Sequence, residues 1–164
     1  TVVGAGTYTT EVSGSTISYE EDIFPIKSLP VCVLSQKAED RMFDGETGPA
    51  LEELQWFREQ SQIDELGIFI QGKQQTGYRE LIRMAEGMIA VGDRVLPQGS
   101  PLIVICKNDI AKALGQIMSS REHGSRTIIC LDRIRMRSGD YIDIGSPVMD
   151  GMAVPIVVKT LIFN

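Results

Sequence analysis

The dominant pattern in the chain is a series of short, nearly continuous apolar runs separated by stretches with helical spacing. Residues 31–34, 67–72, 102–106 and 127–132 each read as a strand covered on both faces. Between them, Leu51, Leu54 and Phe57 recur behind Pro49, which suits a helix start, and predict a helix over 49–62. Tyr78, Leu81, Ile82, Ala85, Met88 and Ile89 predict a second helix that stops at Gly92. Ile110, Leu114 and Ile117 predict a third, with Asn108 as its N-cap. Residues 35–48, rich in charge and glycine, read as a surface loop holding at most a short helical turn. Residues 23–30 carry two prolines and read as an extended connector.

The two ends of the chain read differently. Val2 and Val3 suit a strand, Gly4-Ala5-Gly6 a tight turn, and the β-branched residues through Ile17 a returning strand. Residues 139–145 and 153–163 read as two more strands around a turn at Asp150-Gly151. The expected architecture is therefore α/β: a mixed, largely parallel sheet flanked by helices, with a β-hairpin at each end.

At 164 residues one domain, 1–164, is expected. Hydrophobic residues make up 43% and mean hydropathy is 0.00, which fits a globular chain, and every apolar run is far short of a bilayer span. The net charge of −6 argues against a general nucleic-acid or membrane surface, though not against a local basic site. Cys32, Cys106 and Cys130 lie inside apolar runs, where reduced thiols behave as small hydrophobes. With a single histidine, His123, the sequence makes no case for a zinc site, and it shows no signal peptide, so a cytoplasmic location is expected. Because a strand is already under way at Thr1, the chain is expected to be a piece of a longer polypeptide.

Candidate chemistry concentrates in two stretches. A turn at Gly4, Ala5, Gly6 and Thr7 would expose backbone N–H groups, which can cradle a phosphate without a basic side chain; an ordinary Gly-rich hairpin is the other reading. Lys107, Asn108 and Asp109 follow a strand and precede a helix, the place where ligands gather in open α/β sheets; equally, Asn108 serves simply as a cap. Arg133, Arg135 and Arg137 alternate with Ile134 and Met136, which puts three guanidinium groups on one face if the strand continues, either as a solvated face or as an anion site. Asp140 and Asp143, three apart, fall on opposite faces of a strand and are discounted as a catalytic pair. An independent enzyme is poorly supported, since neither a Ser-His or Cys-His arrangement nor a full Walker loop is present.

Several stretches, in one consistent order, carry a resemblance: residues 2–7 with 13–17, then Leu29-Pro30-Val31, 112–115, 139–145 and 154–159. They resemble the carboxy-terminal part of the EutA family of ethanolamine ammonia-lyase reactivating factors. The resemblance implies a subdomain of the ribonuclease-H-like, actin-like ATPase fold. It further implies a chaperone that uses ATP and Mg2+ to exchange damaged cobalamin on adenosylcobalamin-dependent ethanolamine ammonia-lyase, cytoplasmic and associated with a bacterial microcompartment. Gly4, Ala5, Gly6 and Thr7 would then face phosphates, and the 102–115 strand and helix, with Lys107, Asn108 and Asp109, would lie near the nucleoside. Val2 and Val3 stand where such hairpins usually carry an acid. An isolated piece is expected to be catalytically inactive, and a protein-interaction module with a decayed nucleotide site is the alternative.

Overall fold

The computed structural model describes residues 2–9, 16–18, 23–122, 124, 126–147 and 154–163, with side chains described for 23–122, 124, 126–147 and 154–160. The strands are β1 (Val2–Thr9), β2 (Thr16–Ser18), β3 (Ile26–Val33), β4 (Gly67–Ile70), β5 (Leu102–Cys106), β6 (Ile128–Leu131), β7 (Asp140–Ile144) and β8 (Ile156–Phe163). The helices are α1 (Gln36–Phe43), α2 (Gly48–Ser61), α3 (Tyr78–Val95) and α4 (Ala111–Arg121). All eight strands form one sheet in the order β1-β8-β7-β3-β4-β5-β6-β2.

The central strands β3, β4, β5 and β6 are parallel neighbours in chain order. Right-handed crossovers that always step in the same direction must place every helix on the same side of the sheet. The burial pattern agrees with this. Cys32, Ile68, Ile70, Val104 and Cys130 pack with residues of all four helices, whereas their alternate neighbours Val31, Phe69, Ile105 and Leu131 pack on the other face. No helical residue joins that second core among the described residues. It is completed instead by Ile134 and Met136, by Val154, and by Ile142, Ile144 and Ile156 from the antiparallel half of the same sheet. The sheet is thus mixed, as expected, but its parallel pairing is confined to β3–β6 and the other pairs are antiparallel, so it is not largely parallel, and the helices lie on one face.

The amino-terminal hairpin does not form. β1 runs unbroken through Gly4, Ala5 and Gly6, pairing antiparallel with β8, while β2 pairs with β6 at the opposite edge. Glycine permits a turn without requiring one, and a full ladder to β8 satisfies the backbone groups that a turn would have left to solvent. At the other end, β7 and β8 do pair antiparallel as a hairpin. The turn expected at Asp150-Gly151 lies outside the described residues, as does His123.

Residues 35–48 are more ordered than expected. Ser35 accepts the Ala38 N–H at 3.1 Å and starts α1, whose Ala38, Met42 and Phe43 are fully buried. The short length and mixed charges of α1 hide this apolar face. The predicted connector at 23–30 also contributes, since β3 already begins at Ile26, with a bulge at Ser28 where the Ser28 N–H reaches Asp143 Oδ1 at 2.7 Å. Gly92 does not stop α3. A Cβ there would sit 3.2 Å from Leu102 Cδ1, so the missing side chain lets the helix lie close to β5, and the helix ends just before Leu96-Pro97. Cys32, Cys106 and Cys130 are free, buried thiols, and burial pushes Cys32 and Cys130 up to about 12, so they stay protonated. Among the described residues, no helix is long and apolar enough to cross a membrane.

Candidate functional site

A cavity of about 690 Å³ opens where the carboxyl ends of three parallel strands meet the antiparallel half of the sheet. Gln71 follows β4, Lys107 follows β5, and residues 133–137 follow β6. Asp140 of β7 and Val158 and Thr160 of β8 supply the facing wall, with Phe69 of β4 also in the lining. Parallel strands end together, so the residues just beyond them converge even when they are far apart in sequence.

The arginine segment owes its position to a backbone reversal. β6 stops at Leu131, and Arg133 adopts a left-handed conformation, φ 59°. This turns the chain so that the Ile134 N–H reaches Cys106 O at 3.2 Å and Ile134 enters the second core. From there the period of two persists without strand pairing: Ile134 and Met136 are buried, whereas Arg133, Arg135 and Arg137 are exposed on the cavity side. The strand expected to continue through this segment does not, yet the alternation that was read from it survives. Apolar burial on one side is sufficient to impose it.

Asp140 closes this segment. A turn over 137–140, with Gly139 at φ 94°, brings the Asp140 N–H to Arg137 O at 3.0 Å. Asp140 Oδ2 accepts the Arg137 N–H at 2.9 Å, and Oδ1 accepts the Thr160 hydroxyl at 2.7 Å. Asp143 lies on the other face of β7, paired with Lys159 at 2.5 Å, as its spacing from Asp140 required. Among the described residues no carboxylate is within ion-pair distance of Lys107, Arg135 or Arg137, while Arg133 is paired with Asp109 at 3.0 Å. An anion entering the cavity therefore meets four cationic side chains and one carboxylate whose oxygens are already engaged. In a chain of net charge −6 this is a local reversal of sign.

The two predicted stretches approach the same cavity by different routes. Lys107 lines it directly. Asp109 reaches it through Arg133, whose guanidinium holds the carboxyl below its ordinary range. Asn108 is neither a lining residue nor the cap of α4; its amide donates to Gly72 O at 2.6 Å and ties the β4 and β5 ends together. The N-cap position belongs to Ile110. Gly4, Ala5, Gly6 and Thr7 are extended and paired rather than turned, so the backbone nest expected of them is not formed there. Their register nevertheless puts Ala5 opposite Thr160 and Thr7 opposite Val158, two residues of the cavity wall.

Sequence reasoning missed Asp132. It directly follows β6, is fully buried, and accepts the Ala111 N–H of α4 through Oδ2 at 3.3 Å. Its Oδ1 is buried without a hydrogen-bond partner among the described residues. Burial pushes its carboxyl up to about 6, and a hydrogen bond with the Asp109 carboxylate adds to the shift. The native pKa lies above the ordinary 3.8, so between about pH 4 and pH 6 the unfolded chain loses this proton before the native one does. Stability from this group is highest below pH 4 and falls as pH rises to about 6. Asp132→Asn keeps an oxygen for Ala111 and is expected to flatten that decline, raising stability at pH 7 relative to the parent. Urea denaturation at several pH values measures this; an equal slope for parent and variant would remove Asp132 as its source.

The chain matches, over residues 1–164, the protein family described as ethanolamine utilisation protein EutA. It is 32% identical over 163 residues to the "Ethanolamine ammonia-lyase reactivase EutA" of Salmonella typhimurium and 30% identical to the protein of that name from Escherichia coli. Both alignments cover 99% of this chain and 33% of the relative, so the chain spans about a third of the length of these curated relatives. No solved structure matches it.

Proposed function

The chain belongs to the ethanolamine utilisation protein EutA family, and from that premise we propose that it is part of an ATP-dependent chaperone that reactivates ethanolamine ammonia-lyase by exchanging damaged cobalamin. In the wider reading it forms one wall of an actin-like nucleotide cleft, with the rest of the cleft supplied by other parts of the protein, working beside or within a microcompartment. What supports the nucleotide half of this reading is the cationic cavity. Lys107, Arg135 and Arg137 offer charge to phosphate oxygens, and Arg133 is oriented by Asp109. A bound nucleoside triphosphate would supply binding and hydrolysis free energy for a change of domain arrangement. The cationic lining fits phosphate oxygens, and Mg2+ would arrive bound to the nucleotide's phosphates.

The test uses the full-length protein and isothermal titration with magnesium ATP. A variant with Arg135→Glu and Arg137→Glu is expected to bind roughly tenfold or more weakly, since two charge reversals act on one anion. Undiminished binding would place the nucleotide elsewhere. A second reading, a protein-interaction module with a decayed nucleotide site, is favoured by the extended backbone of residues 4–7, which leaves no phosphate nest there. It would be supported if the double variant lost nothing in capturing or reactivating the lyase.

A further inference from the structure

Two acids meet behind Arg133, at the edge of the cationic cavity. Asp132 is fully buried; its Oδ2 accepts the Ala111 N–H at 3.3 Å, while its Oδ1 has no hydrogen-bond partner among the described residues. Asp109, exposed on the loop between β5 and α4, lies within hydrogen-bonding reach of Asp132 and pairs with Arg133 at 3.0 Å. The backbones that carry both acids are pinned. The Lys107 and Asn108 N–H groups donate to Ile70 O and Gln71 O at 3.1 and 3.0 Å, the Asn108 amide donates to Gly72 O at 2.6 Å, and the Ile134 N–H donates to Cys106 O at 3.2 Å. Two ionised carboxylates offer each other no hydrogen and repel, whereas one proton on Asp132 turns its orphaned oxygen into a donor to Asp109.

We propose that Asp109 and Asp132 share one proton, and that this proton regulates the cavity through Arg133: while it is held an anion binds more tightly, and once it is lost an anion binds more weakly. The proposal rests on the reading of the cavity as an anion site. With the proton in place the two acids and Arg133 are neutral together; without it they carry one net negative charge against a wall shared with Lys107, Arg135 and Arg137. The other groups around Asp132 do not offset that charge. They are the Cys106 thiol of β5 and the Cys130 thiol of β6, both kept protonated by burial, with Glu39 of α1 on Cys106, and the Ala111 N–H of α4, with Lys112 next in the chain. Burial raises the Asp132 carboxyl and Arg133 lowers that of Asp109, so the proton sits on Asp132 and leaves as pH rises through about 6.

The test uses the full-length protein without magnesium, and inorganic sulfate, whose charge is the same at pH 5 and pH 7.5. Isothermal titration at fixed ionic strength, in buffers of different ionisation enthalpy, reads both affinity and linked protons. The parent is expected to take up protons when sulfate binds near pH 6. Asp132→Asn, which keeps an oxygen for Ala111 and offers Asp109 an amide hydrogen, should match the parent at pH 5, bind about threefold to tenfold more tightly than the parent at pH 7.5, and lose the linked uptake. Asp109→Asn, on an exposed loop, should lose that uptake as well, and the two variants together separate the pair from His123 and from groups elsewhere in the protein. Sulfate binding that Arg135→Glu with Arg137→Glu abolishes, but whose pH dependence is the same in the parent and Asp132→Asn, overturns this proposal alone. No sulfate binding, or binding that the arginine variant leaves intact, overturns the reading of the cavity and this proposal with it.

Discussion

Replacing Phe69 with alanine is expected to lower the unfolding free energy by about 3–5 kcal/mol. Phe69 is 1% exposed on β4, in the centre of the parallel half, and it reaches both the second core and the wall of the cationic cavity. Its neighbours across that face, Ile103, Ile105 and Ile134, belong to strands and turns that hydrogen bonding holds in register, so they cannot collapse into the space left behind. The loss should therefore include a large cavity contribution. Chemical denaturation of parent and variant measures it. A conservative Phe69→Leu should lose much less, and a cost for Phe69→Ala near 1 kcal/mol would mean that the second core is loosely packed.

Deleting residues 1–18 is expected to have a second large effect. Those residues contribute eight pairings along β8 and three along β6. β6 is four residues long and buried at every one of them, so removal of β2 would present an apolar strand with an unpaired edge. At about 0.5–1 kcal/mol for each ladder hydrogen bond lost, the thermal midpoint should fall by roughly 10 °C or more, with aggregation that rises with concentration. Differential scanning calorimetry with light scattering follows both. A truncated chain that melts like the parent and stays dispersed would show that neither edge strand contributes to the fold.

Much of this fold was legible because its central strands and longer helices announce themselves with strong periodicity. Ile103, Ile105, Phe69 and Leu131 sit in runs so apolar that only burial on both faces explains them, and the helices that follow carry clear stripes. What was illegible depended on partners distant in sequence. Nothing in residues 2–9 says that their ladder partner begins at Ile156, so glycines that allow a turn were read as making one. α1 was missed because Ala38, Met42 and Phe43 are too few to outweigh Lys37, Glu39, Asp40 and Arg41 in a short segment. Part of the cavity lining was visible: Lys107 and Asp109 were proposed from their place after a strand, and the Arg133, Arg135 and Arg137 alternation was read as either a solvated face or an anion site. Their convergence depends on strand order, which a linear reading cannot supply. Asp132, a buried acid at a strand end, had a readable signal in the run Ile-Ile-Cys-Leu-Asp, an apolar strand closing on a carboxylate.

Placing β1 and β2 at opposite edges carries a geometric requirement. Seven steps from one edge strand to the other would span roughly 34 Å in a flat sheet. The seven backbone steps from Thr9 to Thr16 reach at most about 25 Å. The sheet must therefore bend into an arc, its rims drawn toward each other by the length of covalent chain between them. The second core and the cationic cavity, which share Phe69, Ile134, Met136 and Val158 or its neighbours, lie inside that arc. Any motion that opens the arc is consequently limited by the contour length of the chain between Thr9 and Thr16.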